Sequence, residues 1–533
     1  MSIVNVVNVV SGISPLVLID VKSGFLCDGP KRRDIFKSEQ QFEELVSSMT
    51  EQLDHERIQR VVEEYFRYVT LSHVWDSEKK EPLFQDVNLA GSVWKLDSLP
   101  ENEKLRQFCE VVRDDGYRWA WSDTCCIDKT ISTVLNRSLL MMYKWYETSA
   151  ATFVFLRDVE ASSVLGALLK SIWMTRAWTS QELLAPRVVR FYTRDWKPYL
   201  GDTRLNHKES PEIMQELANA IGISRETIIA FNPDNLNVRE KLRLASTRNA
   251  TVEEDIAYSQ IGIFKSDIVP RYGEGEAALG HLLEEIIARS SEVAVLAWAG
   301  KSSSYNSCLP DTLRVYSQAS YTSSTIEGTE LDSRVAELKV SVPEADAMLL
   351  YSQVTRLPPV RFANRRLHLP SIIFAVRRIG IQELGQGHEH RYRARVSGLG
   401  DVEFQTSDPL SLTEPRRLVF VHPWIRDLRD PLDSLAWGST AVEDEDKSDD
   451  EAEVGSLSTS PLHALPAAAT MDDYTRALRL VVRLQQPFQV LLIRQEPGGE
   501  FKRVATEHAI VVPGIERWIN FAKDIRTEVV DIL

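Results

Sequence analysis

Cysteine is scarce and unordered in this chain: Cys27, Cys109, Cys125, Cys126 and Cys308 are the only five in 533 residues, and no two form a C-x-x-C pair. That excludes a disulfide framework and a cysteine-rich zinc module, and it suits a reducing compartment. Long apolar runs are missing too. The start, MSIVNVVNVVSGISPLVLID, has no basic leader, is interrupted by Asn5, Asn8, Ser11, Gly12 and Pro15, and alternates in the manner of a strand. Neither a signal peptide nor a membrane span is expected, and cytoplasmic residence is the default. Basic patches are absent as well. The formal charge is −15, but EDEDKSDDEAE (443–453) sets eight acidic groups against Lys447, a net of −7, which leaves −8 for everything else. A mildly acidic body without a basic stripe excludes a nucleic-acid binder, because phosphate neutralisation supplies most of that affinity.

What is present is the composition of a globular chain, 43% hydrophobic and 26% charged, long enough for one large core or several ordinary ones. From residue 66 the sequence alternates: FRYVTLSHVW, YRWAWSDTCCID, AATFVFLRDV and RVVRFYT read as strands. The segments after them, LPENEKLRQFCEVVRDDG, VLNRSLLMMYKWYETS and a broken or kinked SSVLGALLKSIWMTRAWTSQELL, have helical spacing. Strands separated by helices predict an α/β domain with a parallel sheet over residues 1–204, its core at 66–200. Residues 205–300 read as a helical annex. Beyond 301 the chain reads as β-rich, from VAVLAWAG just before that point through SIIFAVRRIGI, HRYRARVSGL, RRLVFV and LRLVVRLQQPFQVLLIRQ to HAIVVPG, with a disordered acidic insert near 440–468.

Three motifs fail on inspection. VAVLAWAGKSSS leads into Gly300, Lys301 and Ser302, yet Val295 stands where a phosphate loop needs its first glycine. RYGEGEAAL offers Gly273, Gly275 and Ala278 without a clear preceding strand, and Glu274 and Glu276 would face the diphosphate. His388 and His390 lack a third ligand at zinc spacing, and no H-E-x-x-H or G-x-S-x-G occurs, so no metal site is assigned.

Open parallel sheets present their chemistry beyond the carboxyl ends of their strands. There this chain collects Ser72, His73, Trp75 and Asp76, then Asp123, Cys125, Cys126 and Asp128, then Arg157 and Asp158. Each has a plainer reading: Trp75, Trp119 and Trp121 as core aromatics, Asp123 and Asp128 as turn or cap carboxylates, Cys126 as a small buried side chain. In a helix through WMTRAWTSQELLAP (173–186), Trp178, Gln181 and Glu182 share a face and Arg176 lies elsewhere on the circumference. Glu182 then either works on a ligand or anchors the helix through a salt bridge, with Trp178 packed on the sheet and Arg176 paired to Asp123 or Asp158.

The blocks YVTLSHVWD, WAWSDTCCIDK and WMTRAWTSQELLAP, in this order, resemble the three blocks of the HET domain, the fungal heterokaryon-incompatibility family. STRNATVEEDIAYSQIGIF and YGEGEAAL resemble the continuation found in its larger members, and Lys129 departs from the Gln that family usually carries. The resemblance implies a role in nonself recognition leading to regulated cell death. It also implies a TIR-like, flavodoxin-like α/β fold, and some TIR domains cleave the nicotinamide glycosidic bond of NAD with one glutamate. On that footing Glu182 is the catalytic expectation, with Ser72, His73, Trp75, Asp123, Cys126, Asp128, Arg176, Trp178 and Gln181 as pocket or motif residues. NAD enters as a substrate and no cofactor is required. The competing expectation is a module without chemistry that relays the signal through self-association or protein partners.

Overall fold

The alternation read from residue 66 is the backbone of the computed structural model, which describes residues 3–47, 55–75, 80–318, 326, 328–384, 390–424, 472–515 and 526–533. The acidic segment near 440–468, Asp76 and His388 lie outside the described residues. Two compact units are formed, one of residues 1–236 and 243–282, the other of 237–242 and 283–533.

In the first unit, strands β1 (Val17–Asp20), β2 (Leu26–Asp28), β3 (Tyr68–His73), β4 (Trp119–Trp121), β5 (Ala151–Leu156) and β6 (Val189–Thr193) form a sheet in the order β2-β1-β4-β3-β5-β6. The pairs β4–β3, β3–β5 and β5–β6 are parallel, while β1 runs antiparallel to both β2 and β4. Every residue of β3 and β5 is buried, as a parallel strand covered on both faces requires. The helix Pro100–Asp114 starts on its proline, buries Leu105, Phe108, Cys109 and Val112 at helical spacing, and stops where Gly116 takes φ +84°. Trp119 and Trp121 are fully buried, and the ring of Trp121 meets those of Trp145 and Tyr146 edge-on at 5.8 and 5.7 Å. These two tryptophans are core, the plainer of their readings.

The N-terminal segment is a correction. Ile3–Ile13 is a helix, not a strand, and β1 begins only at Val17. Asn5 and Asn8 are three apart and both exposed, while Val6 and Val7 are buried against Phe36, Leu45 and Ile58, so the apolar spacing is helical. The region 205–292 holds the helices Pro211–Ile221, Arg225–Ile229, Val238–Ser246, Asp255–Tyr258, Ile261–Phe264 and Ala277–Ser290.

In the second unit, strands β7 (Arg361–Ala363), β8 (Arg366–Leu384), β9 (His390–Val396), β10 (Gly400–Thr406), β11 (Leu418–Pro423), β12 (Phe488–Gln495), β13 (Phe501–Arg503), β14 (Ile510–Val512) and β15 (Arg526–Ile532) form one sheet. Strand β15 pairs with both β13 and β8, closing β8-β11-β12-β13-β15 into a ring from which β9 and β10 extend. Two stretches read as strands are not. VAVLAWAG begins with a 3₁₀ turn, Val293–Leu296. LRLVVRL belongs to a helix, Asp473–Leu484, which sets Arg476, Arg479 and Arg483 against buried Ala477, Leu478, Leu480, Val481 and Leu484 and is capped by Asp472. That is a period of three to four, overlooked beside the β-rich run that follows it. Among the described residues no helix is long and apolar enough to cross a membrane.

Candidate functional site

The parallel strands run β4-β3-β5-β6, so the chain leaves β3 to one side and returns on the other, and the order reverses between β3 and β5. Ligands of open α/β sheets bind where such a reversal opens a crevice at the strands' carboxyl ends. Ser72 and His73 close β3 at that point.

Glu182 arrives there on a short helix, Thr179–Leu184, whose N-cap is Trp178. WMTRAWTSQELLAP is therefore not one helix: Ile172–Thr175 is a 3₁₀ turn, and residues 176–178 are extended or capping. Asp158 accepts from the Ser171 hydroxyl (2.7 Å) and the Ile172 N–H (2.8 Å), fixing the turn. Asn249 pairs beside Arg176, giving its N–H to the Thr175 carbonyl (2.6 Å) and taking that of Ala177 (2.8 Å). The STRNAT segment thus stitches the glutamate helix in place.

Glu182 is 7% exposed. Its carboxylate accepts from the Ser72 hydroxyl, and Ser72 in turn accepts the Trp173 indole N–H at 2.8 Å. The Tyr146 hydroxyl, which donates to the Leu71 carbonyl at 3.1 Å, stands beside the same carboxyl. Burial pushes Glu182 up to about 8; the Asp123 charge pushes the same way, against the Ser72 and Tyr146 hydrogen bonds and the Arg248 charge. Arg248 is itself buried and lowered to about 10, and donates to the Thr179 hydroxyl (2.8 Å) and the Arg176 carbonyl (3.3 Å). Glu182 makes no ion pair among the described residues, so the salt-bridge anchor is not what holds it.

A second cluster is built around His73. Lys104 donates to His73 Nδ1 (2.8 Å) and also pairs with Glu81. An ammonium only donates, so Nδ1 is an acceptor and the imidazole proton sits on Nε2, directed at Asp123 Oδ1 (3.2 Å). The other Asp123 oxygen takes the Trp75 indole N–H at 2.9 Å. Burial acts to raise the Asp123 carboxyl, but the His73 hydrogen bond, the Lys129 charge and the Trp75 N–H outweigh it and bring it down to about 2. Trp75 is 41% exposed, not core, and Lys129 Nζ lies 3.5 Å from its ring centroid. Two carboxyl groups are thereby driven in opposite directions, Glu182 upward by burial and by the Asp123 charge, Asp123 downward by its hydrogen bonds and Lys129.

The remaining expected residues fall outside this pair of clusters. Cys126 is buried and its sulfur accepts the Ser122 N–H at 3.5 Å, while contact with Cys126 and burial raise the Cys125 thiol. Asp128 is a turn carboxylate, bound by the Thr130 N–H (3.0 Å) and by Gln85 (2.7 Å). Arg176 donates to the Thr251 hydroxyl (2.9 Å) and pairs with neither Asp123 nor Asp158. Trp178 is half-buried on the sheet core beside Asp255, which takes the Tyr272 hydroxyl at 2.8 Å. Gln181 is buried with its Nε2 unpaired.

Sequence reasoning missed Trp173, Tyr146, Lys104, Glu81 and Arg248. Only Arg248 carried a signal, a lone arginine in a segment otherwise made of small polar residues. The glycines of RYGEGEAAL have an occupant: Gly273 and Gly275 donate their N–H groups to Glu254 at 2.7 and 3.0 Å. That nest is filled by the chain's own carboxylate. No cluster of His, Cys, Asp and Glu able to hold a metal ion occurs among the described residues.

The first unit is an α/β domain with a carboxylate site at the reversal point of its parallel strands. Residues 68–168 match the heterokaryon incompatibility protein (HET) family. Over 228 residues, 41% of the chain, it is 36% identical to the vegetative incompatibility protein HET-E-1 of Podospora anserina, and the match covers 16% of that relative's length. No solved structure matches the chain.

Proposed function

We propose that this chain acts in fungal heterokaryon incompatibility, its α/β unit bringing about regulated cell death in the cytoplasm by cleaving the nicotinamide–ribose bond of NAD. The name of the relative supports the first part. The parallel order β4-β3-β5-β6, which is 2-1-3-4 when these strands are counted in chain order, supports a TIR-like, flavodoxin-like arrangement. The observation that carries the chemical reading is the desolvated Glu182 carboxyl on Ser72, beside ionised Asp123.

In this reaction the C1′–N bond breaks and its electron pair neutralises the pyridinium as nicotinamide leaves. The cation left at C1′ is stabilised by a carboxylate, and water then attacks C1′ and gives up a proton to a neighbouring carboxylate. The cationic ring of NAD favours ionised Glu182 on binding, so the empty site is poised rather than blocked. Ser72 holds the carboxylate once it forms. Residues 205–300 act as an annex of the same domain and the β-rich unit senses or restrains it.

A second reading rests on a different observation. Val164, Leu165 and Leu169 are exposed within six residues of one another, while Glu182 is buried. The domain would then relay the signal by self-association or by binding a protein partner, without chemistry. Induced expression of wild type and Glu182→Gln in a fungal host separates the two. The catalytic reading expects loss of viability and of cellular NAD with wild type only. Equal killing by both proteins, at equal abundance, overturns it in favour of docking.

A further inference from the structure

A cavity of about 450 Å³ in the first unit has Arg32, Arg33 and Arg137 in its walls together with Pro15, Phe84 and Cys126. Arg32 is 1% exposed; it donates to the Ser14 hydroxyl (2.7 Å) and the Pro15 carbonyl (2.8 Å), and its Nε is buried with no partner. A methyl group placed on Gly29 would lie 3.2 Å from Arg33 Nη1 and 3.8 Å from Arg32 Nη2, so those two cationic nitrogens are at most 7.0 Å apart. They converge on the first turn of the helix Gly29–Lys37, where the helix dipole is already positive. None of the three arginines makes an ion pair among the described residues. The two carboxylates in the walls are spent on local structure: Asp28 caps the helix through the Lys31 N–H (2.9 Å), and Asp128 holds its turn and Gln85. Burial, and to a smaller extent the Arg33 charge, lowers the Arg32 guanidinium to about 10.

Two guanidinium groups gathered at the positive end of a helix, one desolvated and short of an acceptor, repel each other unless an anion sits between them. The arginine fork matches phosphate oxygens, and apolar walls strengthen that attraction by excluding water. We propose that this cavity binds a phosphate ester of nucleotide size, its phosphates on Arg32, Arg33 and Arg137 and its base against Pro15, Phe84 and Cys126. The volume is that of an ordinary small-ligand site.

The test is calorimetric titration of the full chain at low salt with ADP and, separately, with inorganic pyrophosphate. ADP is also part of NAD and could occupy the site at Glu182, so only the binding lost in the double variant Arg33→Gln/Arg137→Gln is assigned to this cavity. Wild type is expected to bind ADP, pyrophosphate is expected to compete, and added salt is expected to weaken both. The double variant Arg33→Gln/Arg137→Gln, which changes partly or fully exposed side chains and leaves Arg32 in place, is expected to bind ADP at least tenfold more weakly with unchanged circular dichroism. No binding of ADP by wild type, or equal binding by a folded double variant, overturns the proposal. Pyrophosphate binding as tight as ADP binding overturns the nucleotide-sized ligand.

Discussion

Glu182→Gln tests the state of the buried carboxyl without any substrate. The group is raised from an ordinary 4.5 to about 8 in the folded chain, chiefly by burial. A raised carboxyl stabilises the fold fully below its unfolded value and loses that contribution as pH climbs through its folded value. The window therefore runs from about pH 4.5 to about pH 8, and the loss is on the order of 5 kcal/mol, at about 1.4 kcal/mol per unit of pH. This is a ceiling, because water entering the ionised site recovers part of it. Gln keeps the shape and does not ionise, so the stability of Glu182→Gln minus that of wild type should rise steadily between pH 5 and 8 and level off above 9. Titrating groups that do not interact with Glu182 cancel in that difference. Urea unfolding followed by tryptophan fluorescence suits the purpose, because eight of the 12 tryptophans lie in the first unit. A difference that stays flat within about 0.5 kcal/mol from pH 5 to 9 would mean that the carboxyl is not raised by burial and is already ionised and solvated at neutral pH.

Asp123→Asn should behave in the opposite sense. Asp123 is lowered from 3.8 to about 2, a stabilisation present above the unfolded value and lost as pH falls from about 4 to about 2. The variant should lose about 2 kcal/mol at neutral pH and no longer show that acid limb, measurable by acid titration of the same fluorescence signal. Arg248→Met removes a cation that lowers Glu182, so the midpoint of the Glu182 titration, followed by the stability difference described above, should move to higher pH; an unmoved midpoint would separate Arg248 from the site. Lys129→Gln uncovers the face of Trp75, so quenching of tryptophan fluorescence by 1-methylnicotinamide should saturate at lower concentration than in wild type. The added Trp75→Phe change should abolish that gain.

Much of this was legible in the sequence where side-chain period and chemistry agreed. The strands YVTLSH, WAW, ATFVFL and VRFYT and the helices between them were readable because each is apolar at a single period and is bounded by polar turns. The N-terminal helix was not, because valine favours strands and the exposed Asn5 and Asn8 are too few to reveal a period of three to four. The helix Asp473–Leu484 was lost for a related reason, since its apolar face runs into a genuine strand after only three residues. At the site, Ser72, His73, Asp123 and Glu182 could be named from the rule that parallel strands expose their carboxyl ends. Their partners could not. Lys104, Tyr146, Trp173 and Arg248 sit on elements that the chain brings together only by folding, and Ser72 and Glu182 are themselves 110 residues apart. The local carboxylate Asp128 looked as promising in sequence and proves to hold a turn.

The measurement that bears most directly on the central claim is nicotinamide release from NAD by the purified full chain, across pH 6 to 9, for wild type and Glu182→Gln. Release by wild type is expected to grow with pH through a midpoint near 8, as Glu182 ionises, and a folded Glu182→Gln is expected to release none. Release by the variant at the wild-type rate, or none by wild type in a folded and self-associated state, would contradict that claim.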